Sequence, residues 1–156
     1  MYKKLILIII MSNLLIQCGF TPLYSTKEKD TNFSISEISF EGDKIINNYL
    51  KTNLSKYKNG IYEKNFSIKI FTTYNKKTLS KDKTANITDY ELSVKTIFSI
   101  SENNNFIKEI TISEKKEMNN QTDKFEEQKY ERVIKQNFAS SMSNKLIIEL
   151  LLISDN

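Results

Sequence analysis

The alternation of apolar and polar residues in two long stretches constrains this chain most. In "NFSIKIFTTY", Phe66, Ile68, Ile70, Thr72 and Tyr74 alternate with Ser67, Lys69, Phe71 and Thr73. In "DYELSVKTIFSI", Tyr90, Leu92, Val94, Phe98 and Ile100 share one parity, and this is the cleanest alternation in the chain. Successive side chains of a strand point to opposite faces, so each stretch is a strand apolar on one face only. A sheet of such strands packs helices on one side and turns the other to water or a partner.

The remaining segments supply the helices and two further strands. "FSISEISF", Phe33 to Phe40, is rich in β formers, but its apolar phase slips between Ile35 and Ile38, which predicts a strand with a bulge. Gly42 and Asp43 stop it and cap a helix whose stripe is Ile45, Ile46, Tyr49, Leu50, Leu54 and Tyr57. Asn59-Gly60 breaks the chain before the Phe66 strand. The polar run "NKKTLSKDKTAN", Asn75 to Asn86, is expected to form a long turn, and "ENNN" a second one. "FIKEITISEKKEM" begins a fourth strand that turns polar beyond Ser113.

Asp123 then caps a last helix, with Glu126 reaching back in a capping box. Phe125, Tyr130, Val133, Ile134, Phe138, Met142, Leu146, Leu150 and Ile153 recur at helical steps to the end. The order β-α-β-β-β-α predicts an α+β two-layer sandwich, a four-stranded, mainly antiparallel sheet with two helices on one face. At 156 residues, 39% hydrophobic and 27% charged, the chain suits one such domain, expected over residues 32–156.

The N-terminus has a different character. "MYKKLILIIIMSNLLIQC" places two lysines before an apolar run from Leu5 to Ile16, then the only cysteine. Twelve helical residues reach about 18 Å, short of the ~30 Å that a spanning helix must cross. The layout is that of a bacterial signal peptide, and Leu15, Ile16, Gln17 and Cys18 resemble a lipoprotein cleavage box, although Gln17 replaces the usual Gly, Ala or Ser. By that resemblance residues 1–17 are removed and Cys18 carries a diacylglycerol and an N-acyl chain, anchoring the protein to the membrane; each buried CH₂ contributes about 0.8 kcal/mol. The other reading is a buried free cysteine after an ordinary secretion signal. Residues 18–31, ending in the charged "TKEKDT", read as a lipidated N-terminus and tether.

Composition removes whole classes of chemistry. With no His and a single Cys, Ser-His and Cys-His nucleophiles and the usual zinc ligand sets are excluded. Three glycines, Gly19, Gly42 and Gly60, cannot build a glycine-rich phosphate loop. The carboxylates are scattered among lysines, so no catalytic acid, base, metal site or cofactor is expected. The formal charge is +4, but loss of Lys3 and Lys4 leaves 21 basic against 19 acidic residues. Nucleic-acid binding is therefore not expected.

The heptad "CGFTPLY", Cys18 to Tyr24, resembles the mature start of LPS-assembly lipoproteins of the LptE family, alphaproteobacterial type, and the order of elements is similar to that family's layout. The resemblance implies a non-enzymatic, lipid-anchored subunit of the lipopolysaccharide translocon on the periplasmic side of the outer membrane. It would form a heterodimer with the β-barrel LptD, plug and help assemble that barrel, and help deliver lipopolysaccharide to the cell surface. Gly19 after the Cys, in place of an Asp, fits sorting to the outer membrane.

Basic residues are the natural contacts for lipopolysaccharide phosphates, and Lys76, Lys77, Lys81 and Lys83 stand together in the expected turn; the alternative is a solvated loop in a lysine-rich chain. Phe20, Pro22, Leu23 and Tyr24 are candidates for contact with the barrel wall or membrane interface, or for packing on the domain's own edge. A rival reading is a periplasm-facing lipoprotein of similar α+β fold that binds another envelope protein or a small ligand.

Overall fold

The computed structural model describes residues 32–58, 60 and 62–155. Four strands form one sheet in the order β1-β2-β3-β4. They are β1 (Phe33–Gly42), β2 (Lys64–Lys81), β3 (Ile87–Glu102) and β4 (Asn105–Asn119). A helix α1 (Lys44–Leu54), continued by a 3₁₀ turn at Ser55–Tyr57, follows β1, and a 31-residue helix α2 (Lys124–Ser154) closes the chain. The α+β class and the order β-α-β-β-β-α agree with the sequence reading. Because α1 carries the chain back, β1 runs parallel to β2, while β2–β3 and β3–β4 are antiparallel.

The phase slip in β1 is a bulge. Register moves from Ile35 opposite Phe66 to Glu37 opposite Ser67, leaving Ser36 as the extra residue. Its hydroxyl donates to the Phe66 carbonyl at 3.1 Å and lies 3.2 Å from the Ser67 hydroxyl, so the inserted residue is held. The insertion returns Ile38 and Phe40 to the side on which Phe33 and Ile35 are buried.

At the end of β1 the chain must turn at once into α1. Gly42 does this at φ +91°, with a Cβ there falling 1.9 Å from the Thr72 carbonyl oxygen, a contact that only glycine permits. The next amide, Asp43 N–H, donates to that same oxygen at 2.9 Å, and the Asp43 carboxylate accepts from Ile46 N–H at 2.8 Å as the helix cap. Ile46, Leu50 and Leu54 are buried, whereas Ile45 of the expected stripe is exposed.

The expected turn from Asn75 to Asn86 is corrected. β2 continues to Lys81, and the connection is only residues 82–86. The Asp82 carboxylate builds this turn by accepting from the Thr84 and Asn86 amides and the Thr84 hydroxyl at 2.7–2.9 Å, with Ala85 at φ 64°. The β3–β4 turn forms where expected: Asn103 and Asn104 at φ 50° and 65° give the left-handed pair that a two-residue hairpin needs. β4 also runs past Ser113 to bury Met118.

Both helices lie on one face of the sheet, over Phe66, Ile68, Ile70, Leu92, Val94, Phe98 and Ile100. α2 contributes Ile134, Phe138, Ala139, Met142, Leu146 and Leu150 to this core. Phe125, Tyr130 and Val133, also expected on that stripe, are exposed. Asp123 caps α2 by accepting from Phe125 N–H at 2.8 Å, but Glu126 pairs with Lys129 and does not reach back. Instead Glu127 accepts from the Gln121 amide at 3.2 Å. The opposite sheet face carries Lys69, Thr73, Asn75 and Lys95, with Phe71 opposite Ile97 among them. Among the described residues, no helix is long and apolar enough to cross a membrane.

Candidate functional site

Extension of β2 separates the four candidate lysines. Lys76 keeps the parity of Thr72 and Tyr74 and so points toward the helices, whereas Lys77 lies on the outer face opposite Glu91. Lys81 ends β2 and Lys83 lies in the turn, both exposed. Lys77, Lys81 and Lys83 have no ion-pair partner among the described residues. The four are therefore not one cluster: three mark the outer, distal end of the hairpin and one faces inward.

Lys76 is the centre of an ion network that sequence reasoning missed. Its ammonium lies 2.9 Å from a carboxylate oxygen of Glu127 and 2.9 Å from one of Glu131, and 4.3 Å from the centroid of the Tyr90 ring. Lys124 pairs with Glu127 at 2.9 Å, while Lys135 reaches Asp43 at 3.5 Å and Glu131 at 3.7 Å. The Tyr74 hydroxyl donates to Glu131 at 2.8 Å, and the Lys135 ammonium stands 3.8 Å over the Tyr74 ring. Three cations thus meet three carboxylates, tying β2 to the first turns of α2 and the cap of α1. The signal for it was present, since Glu127, Glu131 and Lys135 are four apart on one helix face.

Four members of the network, Tyr74, Lys76, Glu127 and Glu131, are held in fixed charge states. Burial raises the Tyr74 hydroxyl, and its bond to Glu131 raises it further, so the phenol stays protonated. Burial would raise Glu127, but hydrogen bonds from Lys76, Lys124 and the Gln121 amide outweigh it and bring the carboxyl down to about 2. Burial is likewise outweighed at Glu131, which Lys76 and Tyr74 hold below the usual carboxylate range. Burial alone would lower Lys76, but its bonds to Glu127 and Glu131 raise it. None of these four groups changes protonation near neutral pH.

A second concave feature lies between the helices. Asn53, Lys56 and Tyr57 from α1 and its 3₁₀ extension face Ser140, Ser143 and Asn144 of α2 across a groove of about 390 Å³. Asn53 Nδ2 donates to Ser143 Oγ at 3.4 Å and bridges the two walls. Tyr57 stacks on the buried Phe33 ring at 6.0 Å between centroids, and the Lys56 ammonium lies 5.0 Å over the Tyr57 ring. None of these residues was singled out from the sequence as a binding group, because hydroxyls and amides at helical spacing carry no pattern of their own.

Among the described residues, no group of three or more His, Cys, Asp or Glu side chains is placed to hold a metal ion. Cys18, Phe20, Pro22, Leu23 and Tyr24 lie outside the described residues.

No protein-family model matches the chain, and no curated protein matches it by sequence. Solved structures do match its fold. Rare lipoprotein B from Shewanella oneidensis aligns with a TM-score of 0.56 at 11% identity, over 77% of this chain and 96% of that one. A minor lipoprotein from Acinetobacter baumannii aligns with a TM-score of 0.52 at 15% identity, over 73% and 92%. A candidate lipoprotein from Caulobacter crescentus aligns with a TM-score of 0.56 at 11% identity, over 81% and 95%. At such identities the likeness is one of fold: the chain shares its α+β architecture with these bacterial lipoproteins.

Proposed function

We propose that the protein is the lipid-anchored, outer-membrane subunit of a lipopolysaccharide translocon, seated in the lumen of an LptD-type β-barrel, assisting its assembly and helping to pass lipopolysaccharide to the surface. The observation that carries this reading is a fold shared over nearly the whole length of rare lipoprotein B, in a chain whose Cys18 closes a lipoprotein cleavage box. The role is binding without covalent chemistry, consistent with a network whose titratable groups are locked in pairs. A sheet with one face left polar suits a wet barrel interior.

Within this reading, phosphate contact falls to Lys77, Lys81 and Lys83 at the outer end of the hairpin. Lys76 is already held by two carboxylates and acts as a structural tie. Phe20, Pro22, Leu23 and Tyr24 then follow the acylated Cys18 and pack against the barrel wall or the membrane interface.

The test is recovery of the tagged protein from membranes solubilised in mild detergent, with mass spectrometry of its partners and its N-terminal peptide. A large outer-membrane barrel at near-equal stoichiometry, with a triacylated Cys18, is the expected result. An acylated Cys18 with no barrel would overturn the translocon role and leave a periplasm-facing lipoprotein. An unmodified Cys18 would overturn both.

A further inference from the structure

The groove between α1 and α2 plays no part in the reading above, and its chemistry is unlike that of the rest of the surface. It is bounded by amides, hydroxyls, one aromatic ring, one ammonium and the Ile147 side chain, and none of its lining residues carries a carboxylate. Elsewhere the polar clusters satisfy themselves: the Asp82 turn and the Lys76 network close on their own donors and acceptors. Here the Ser143 proton is spent on the Ala139 carbonyl at 2.7 Å and one Asn53 proton on Ser143. Ser140, Asn144 and the Asn53 carbonyl oxygen keep their hydrogen-bonding capacity unused within the described residues.

At about 390 Å³ the groove falls within the ~300–1,000 Å³ of small-molecule sites. A peptide side chain or acyl tail needs a mainly apolar lining, whereas here only Ile147 and the Tyr57 ring supply one among six polar residues. A nucleotide needs several cations or a run of backbone amides for its phosphates, and there is one lysine. Paired amides and hydroxyls beside an aromatic ring suit a ligand with many hydroxyls and an apolar C–H face, while a single compact ammonium adds room for one negative charge. We propose that this groove is a binding site for a pyranose bearing one acidic group, a uronic acid or a sugar phosphate. Asn53, Ser140 and Asn144 hold the ring hydroxyls, the Tyr57 ring borders its C–H face, and Lys56 receives the acid. The site is independent of the barrel reading, and a barrel-free lipoprotein would keep it.

The test is saturation-transfer NMR on the full, lipidated protein in detergent, with glucuronate, glucose 6-phosphate, glucose and inorganic phosphate as separate probes. Lys56 and Asn144 are exposed, so Lys56→Met and Asn144→Leu are expected to fold, and a circular-dichroism melt of each checks this. Transfer to the ring protons of both acidic sugars is expected, with glucose bound roughly tenfold more weakly. Lys56→Met should erase that difference, and Asn144→Leu should weaken all three sugars about tenfold. Absence of transfer in the wild type, equal binding in folded Asn144→Leu, or inorganic phosphate competing as well as glucose 6-phosphate would each overturn the proposal, the last by reducing the groove to a plain anion contact. Displacement of glucuronate by micelles of a glucuronosyl glycolipid would assign the ligand to a lipid headgroup, and failure to displace it would assign a soluble saccharide; both support the site.

Discussion

Lys76 shows how one residue's role depends on strand parity. Its place in a polar, lysine-rich run makes it a candidate phosphate contact, yet it lines up with Thr72 and Tyr74 and meets Glu127 and Glu131 beneath Tyr90. Lys76→Met would leave Glu127, 5% exposed, without its main partner and is expected to cost about 2 kcal/mol in urea unfolding, less than a fully buried pair because Lys76 is itself partly exposed. The pH dependence has a definite sign. Glu127 has a folded value near 2, below the ordinary value of 4.5, so its contribution is present above 4.5 and is lost as pH falls from there toward 2. Lys76→Met should flatten that acid limb of the stability curve. Gly42 is a second single-residue constraint. Gly42→Ala places a methyl group against the Thr72 carbonyl at positive φ and is expected to destabilise by roughly 2 kcal/mol, read as a lower urea midpoint at unchanged slope.

At the scale of elements, most of what touched the apolar core was legible, Met118 at the polar end of β4 excepted. The strands at Phe66 and Tyr90, the Ser36 bulge and the cap at Asp43 all follow from apolar phase and cap chemistry. Beyond Tyr74 the inward positions of β2 are Lys76 and Thr78 in place of apolar residues, so period two disappears into a polar run that reads as a loop. The exposure of Phe125, Tyr130 and Val133 has the opposite cause: apolar residues at helical spacing fit two adjacent stripes, and only tertiary packing selects one. The candidate site divides in the same way, since the lysines were visible as residues but their separation to two faces depended on β2 being a strand. The turn itself rests on one carboxylate. Asp82→Ala is expected to speed amide exchange at Thr84 and Asn86 many-fold while leaving the global unfolding midpoint unchanged, a contrast that native-state hydrogen exchange reads directly.

For the whole molecule, the charges are unevenly distributed. Basic residues exceed acidic ones by four, 23 against 19, and while the inner network cancels locally, Lys77, Lys81 and Lys83 stand without an ion-pair partner among the described residues at one end of the sheet. If phosphates are recognised there, replacing all three by Gln is expected to weaken association with lipopolysaccharide about tenfold and to remove much of its salt dependence, without lowering the melting temperature. Loss of binding equal to that of a matched triple replacement of Lys69, Lys95 and Lys129 would show that only net charge matters.

The parallel pairing of β1 with β2 has a mechanical consequence. The described chain enters the sheet at Phe33, opposite Lys64, while the hairpin tip lies beyond Lys81, about 55 Å along β2 at ~3.3 Å per residue. Load applied between the entry point and the tip would draw β1 and β2 past each other lengthwise. All nine residue pairs from Phe33–Lys64 to Gly42–Thr72 would then resist together in shear, where a hairpin pulled from its two open ends would unzip one pair at a time. Tension between the start of β1 and the hairpin tip would therefore be borne by the whole β1–β2 ladder at once.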